Sequence, residues 1–93
     1  MHIVKSDKYL AQLGVILRFI ALDSPAHARI FKQELANKVM EVDHFPYKYR
    51  TSIHFESQEI RDMIFKGYVI PYYIDKLNDQ IILIGIAKYK EGV

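Results

Sequence analysis

The chain has no cysteine and no tryptophan, only three prolines and four glycines, and no long apolar run. Each absence excludes something. Without cysteine there is no disulfide framework and no thiolate metal site, which fits a reducing, cytoplasmic setting. The four histidines, His2, His27, His44 and His54, offer no i, i+4 pair of the kind that binds a metal on a helix. No metal and no cofactor is therefore expected. The longest apolar stretch, Ile81 to Ala87, is far too short to cross a bilayer, so no membrane contact is expected either. Met1 to Leu10 carries Lys5, Asp7 and Lys8 and has no apolar core of a signal peptide. Gly67 is a turn glycine, and no glycine-rich phosphate loop exists. Ser24 and Ser52 have no recognisable base partner. A net charge of +2 permits an acidic partner or RNA without demanding either.

What is present is enough for one domain over residues 1–93, with 51% apolar residues and seven tyrosines and five phenylalanines as its aromatics. A domain this small buries roughly 60–65% of the surface of its unfolded chain, so its stability is modest. Repeats, low-complexity segments and linkers are absent.

The patterns change along the chain. His2 to Val4 reads as a short strand. Ser6 can cap a helix, behind which Tyr9, Leu13, Leu17 and Ile20 recur at three-to-four spacing, widened by Leu10 and Ile16, up to about Leu22. Ser24-Pro25 restarts a helix, because proline loses no needed bond at the first position. Its stripe is Ala28, Phe31, Leu35, Val39 and Val42, ending near Asp43. The very short junction predicts a helix hairpin. His44 to Ser57 is irregular, with Thr51 to Glu56 readable as a short strand or a loop. Ile60 to Phe65 and Tyr68 to Asp75 read as strands around a Lys66-Gly67 turn. The second alternates Tyr68, Ile70, Tyr72 and Ile74 against Val69, Pro71, Tyr73 and Asp75. A turn at Asn78-Asp79 leads to a last strand, Ile81 to Ala87. Pro71 cannot donate to a ladder and is expected at a bulge, or where its N–H would have pointed away from a neighbour. The expected fold is α+β: an N-terminal helix hairpin packed on a small, mainly antiparallel sheet of three to four strands.

Three groups of residues carry candidate chemistry. Lys48, Tyr49 and Arg50, following Tyr47, interleave cations and rings that suit bases and phosphates; the alternative is a surface loop covering the core. Arg61 and Tyr72 lie close if their strands pair across the turn. Together they suit a phosphate or a carboxylate; the alternative is an arginine paired with Glu59 or Asp62. Lys88, Tyr89 and Lys90 close the last strand, where the alternative is a solvated terminus. His54 beside Glu56 is a weaker candidate general base.

Residues 61–74, Arg-Asp-Met-Ile-Phe-Lys-Gly-Tyr-Val-Ile-Pro-Tyr-Tyr-Ile, resemble the RelE/ParE pattern of an arginine opening a strand, a turn, and Tyr-x-Ile-x-Tyr. Ile81 to Lys88 is similar to that family's apolar closing strand. Phe19 to Ala28 is similar to its Tyr-Ile-Ala-x-x-Ser-Pro-x-x-Ala helix junction. The resemblance implies a cytoplasmic toxin of a type II toxin–antitoxin system of the plasmid-stabilising kind, arresting growth when free. It implies a cognate antitoxin seated between the hairpin and the sheet, and contact with operator DNA only through that complex. The target is either DNA gyrase, inhibited without catalysis as by ParE-like members, or mRNA in the ribosome, cleaved as by RelE-like members. Catalysis would fall to Arg61, Tyr72 and Lys88, and target binding to Lys48, Tyr49, Arg50, Tyr89 and Lys90. Val69 stands where the ribonuclease branch often has arginine, and the Ser24-Pro25 junction leans toward ParE. A third expectation is an inactive relic that only binds its partner.

Overall fold

A computed structural model describes residues 1–89; Lys90, one of the expected binding residues, lies outside the described residues. Strand β1 (His2–Lys5) is followed by helices α1 (Asp7–Asp23) and α2 (Pro25–His44). Four strands follow: β2 (Ile60–Phe65), β3 (Tyr68–Asp75), β4 (Gln80–Leu83) and β5 (Ala87–Lys88). The sheet order is β1-β4-β3-β2, with β5 continuing beside β3. The α+β hairpin-on-sheet architecture is as expected, but the sheet has five strands and is mixed, because β1 pairs with β4 in parallel.

Both helices start where a hydroxyl can accept from a free first-turn N–H. Ser6 accepts from the Tyr9 amide at 3.0 Å, and Ser24 from the His27 amide at 3.2 Å. Pro25 then occupies the first turn of α2. The α2 stripe of Phe31, Leu35, Val39 and Val42 is buried, while α1 buries only Tyr9 completely. Leu13, Ile16, Leu17 and Ile20 pack at the margin of the core, and Leu10 is exposed. On the sheet, the core face consists of Met63, Phe65, Ile70, Tyr72, Ile74, Ile81 and Leu83. Phe31 stands edge-on against Phe65 and Tyr68 at 5.2 and 5.7 Å, which fixes α2 over β2 and β3. The β2–β3 hairpin turns at Lys66 and Gly67 with positive φ at both, the mirror-image turn that suits the strand twist.

The last strand departs from expectation. Ile81 to Ala87 is not continuous: β4 stops at Leu83 and β5 resumes at Ala87. Pro71 is the cause. Ile84 N–H donates to the Pro71 carbonyl at 2.9 Å, but proline has no N–H to return to the Ile84 carbonyl. That carbonyl instead accepts from the Ser6 hydroxyl at 2.9 Å. Across the break, the Gln12 side chain accepts from the Ile86 amide at 2.9 Å. It approaches so closely that a Cβ on Gly85 would lie 2.6 Å from the Gln12 Oε1. The start of α1 is therefore bonded directly into the sheet's interruption. Ser6→Ala removes both an N-cap and a hydrogen bond to the Ile84 carbonyl, and is expected to cost about 1–2 kcal/mol. A thermal melt checks this, with a fall in midpoint of roughly 4–16 °C for a domain of this size.

Candidate functional site

The connector between α2 and β2 is built by one arginine. Arg61 Nε donates to the Gln58 carbonyl at 3.1 Å, and its Nη1 to the Tyr49 and Tyr47 carbonyls at 2.9 and 3.5 Å. The guanidinium also lies 4.9 Å from the Tyr47 ring centre. Tyr47 in turn donates its hydroxyl to Glu59 at 2.6 Å. Arg61 thus gathers both ends of the connector. Among the described residues it forms no ion pair with Glu59 or Asp62. Its register partner across the β2–β3 ladder is Tyr72, so the expected neighbourhood exists.

Tyr72, however, faces inward. It is fully buried, and its hydroxyl donates to the Pro46 carbonyl at 2.6 Å. Desolvation pushes this phenol well above the ordinary tyrosine range, and Arg61 opposes the rise only in part. The raised value makes folding favour the neutral form. That contribution is complete below the unfolded value of 10.0 and is lost as pH climbs above it. Tyr72→Phe is expected to lose about 1 kcal/mol at neutral pH and to decline less steeply between pH 10 and 12. Denaturant midpoints across that range are the check.

Lys88 is not beside this pair. Its register partner is Tyr68, four residues along β3 from Tyr72, or roughly 13 Å of strand. It stands 5.2 Å from the Tyr68 ring. Lys48 lies 5.6 Å from the Tyr49 ring and 3.6 Å from Glu41, and Tyr49 packs at the core margin. The other expected binding residues do converge. Arg50 lies 5.9 Å from the Tyr89 ring, and Arg50, Lys88, Tyr89 and His54 line one cavity of about 340 Å³.

That cavity lies where the sheet's interruption meets the connector. Val69 and Pro71 line it from β3, Ile84 and Gly85 from the broken strand, Lys8 and Gln12 from α1, and Ile53 and Phe55 from the connector. Thr51 forms a single bridge to Arg61, while residues 52–57 are a loop. Asp62 also lines the cavity. It is 1% exposed, and neither carboxylate oxygen has a hydrogen-bond partner among the described residues. Its own backbone N–H donates to the Arg50 carbonyl at 3.1 Å. Sequence reasoning missed Asp62, Lys8 and Gln12. An acid alternating with Arg61 on a strand gives no sign that a loop will cover it. Lys8 and Gln12 lie more than 70 residues from the strand break that they meet.

The family model describing the ParE toxin of type II toxin–antitoxin systems, parDE, matches residues 3–91. The chain belongs to the ParE toxin family. Membership in this family implies a cognate antitoxin. A solved structure of a chromosomal ParDE toxin–antitoxin system from P. aeruginosa superimposes with a TM-score of 0.75 over 97% of each chain, at 16% identity. That likeness extends to the fold of this ParE-family chain. Comparison with curated proteins gives no significant match. Among the described residues, no helix is long and apolar enough to cross a membrane, and no three acidic, histidine or cysteine residues gather to hold a metal.

Proposed function

We propose that the chain arrests growth from the cytoplasm as a ParE-like inhibitor of DNA gyrase, without hydrolysing a substrate, when it is free of its antitoxin. One observation carries this reading. Arg61 and Tyr72, the pair best suited by type to phosphate and proton chemistry, are both committed to backbone carbonyls of the connector. Cleaving a phosphodiester needs several convergent cations or an acid–base pair. A buried phenol held neutral offers neither a base nor a route to solvent. Arg50, Lys88 and Tyr89 then serve as contacts to the target, with Lys48 and Tyr49 on the adjoining connector. Lys90 follows them in sequence and is proposed to do the same. Plasmid stabilisation and operator contact through the antitoxin complex follow from the same reading.

A second reading is a ribosome-dependent mRNA endonuclease. Its support is the cavity, where Arg50, Lys88, Tyr89 and His54 stand together. Expression without the antitoxin separates the two. Gyrase inhibition is expected to halt growth with a DNA-damage response and intact message. Cleaved message would replace the first reading with the second.

A further inference from the structure

The cavity combines an acid and cations in an unusual order. Asp62 lines it at 1% exposure with both carboxylate oxygens unpartnered, while Lys8, Arg50 and Lys88 line it as exposed cations. Most of the remaining lining is apolar, including Ile53, Phe55, Val69, Pro71, Ile84 and Ile86. A desolvated carboxylate without donors is costly, and this one calls for a donor that the neighbouring side chains do not supply. Lone cations fit poorly, because Lys8, Arg50 and Lys88 would repel them on entry. A metal fits poorly as well, since no further acid lines the cavity beside Asp62. The arrangement calls for a ligand that is flat and apolar-faced, carries two adjacent donors, and bears an anion at its other end.

We infer that this cavity binds a 5′-phosphorylated guanine nucleotide, with Asp62 accepting from the base and Lys8, Arg50 and Lys88 facing the phosphate. Guanine presents N1–H and the exocyclic N2–H side by side on its Watson–Crick edge, and these match the two oxygens of a carboxylate as a bidentate pair. Adenine and cytosine each set an acceptor beside their donor, and uracil sets acceptors on both sides of one. Those bases would aim a lone pair at Asp62. The apolar lining suits the faces of a base, and a volume of about 340 Å³ accommodates a base with its sugar. Reaching Asp62 requires the cover to part. The loop over residues 53–56 is the element able to do so, since Ile53 and Phe55 are 61% and 40% exposed and, among the described residues, only the Ser52 hydroxyl, accepting from the His54 amide, ties it locally. The site does not depend on gyrase being the target.

The same chemistry is available from a free nucleotide or from a guanine in an RNA strand. The test is calorimetric titration of the full chain with 5′-GMP, 5′-AMP, and the tetraribonucleotides UUGU and UUAU. GMP, or UUGU if the source is a strand, is expected to bind at least tenfold tighter than its adenine counterpart. Asp62→Asn, which places one donor and one acceptor at that position, is expected to abolish the guanine preference. Arg50→Ala is expected to weaken the guanine and adenine ligands by the same factor, preserving the preference. Thermal melts of both variants confirm that each remains folded. UUGU binding tenfold tighter than GMP assigns the site to RNA; equal binding assigns it to the free nucleotide. Equal affinity for guanine and adenine, a preference that survives Asp62→Asn, or no binding of either guanine ligand at millimolar concentration overturns the inference.

Discussion

Arg61→Ala is expected to destabilise the chain by about 2–3 kcal/mol, although Arg61 is the residue whose type most suggests a direct role in chemistry. The guanidinium donates to the carbonyls of Gln58, Tyr49 and Tyr47 and stacks on the Tyr47 ring. Alanine leaves those carbonyls to water and releases the connector from β2. The effect is discounted because part of the cluster is exposed. Arg61→Lys is expected to rescue little, since a single ammonium cannot reach both ends of the connector as a planar fork does. A urea titration of the three proteins measures it. An unchanged midpoint for Arg61→Ala would mean that the guanidinium is free for a target, and would revive its expected catalytic role.

Asp62→Val is expected to move stability the other way, by roughly 2–3 kcal/mol, or a rise of about 10–20 °C in thermal midpoint. The substitution replaces a buried carboxylate that has no donors with a side chain that suits a strand beside Val69 and Pro71. Most single changes destabilise a domain. One that stabilises, at a cavity wall, marks a position retained at a cost in stability. The same variant is expected to lose the guanine preference, so a melt and a titration on one preparation connect the two effects. A lower midpoint would mean that Asp62 is satisfied in solution and that its isolation is not a source of binding.

How much of this was legible in the sequence depends on how far each interaction reaches. Caps are local: Ser6, Ser24 and Pro25 sit within three residues of the amides they serve or the turn they open, and both helices begin where those residues predict. The β2–β3 hairpin is nearly as local, and its register follows from the Lys66-Gly67 turn. Pro71 was readable as a point of disruption. Which strand would break was not readable, because that depends on Ser6 and Gln12 reaching Ile84 and Ile86 across the whole chain. Strand β1 has four residues and one parallel neighbour, too little pattern to fix its direction.

The site was legible by residue type more than by arrangement. Arg50 belonged to one expected group and Lys88 and Tyr89 to another, and the fold brings them to one cavity. Arg61 and Tyr72 were expected together and are together, but the carbonyls that hold them come from residues 46–58, where no periodicity guides a reading. Side-chain type alone does not distinguish an arginine that binds a ligand from one that binds its own backbone.

The proposal of non-hydrolytic gyrase inhibition is tested most directly by a supercoiling assay with purified gyrase, relaxed plasmid and the full chain in excess. The expected result is a dose-dependent loss of supercoiling that is relieved by the cognate antitoxin and retained in Tyr72→Phe, whose phenol takes no part. Full supercoiling at a large molar excess of folded protein would contradict it.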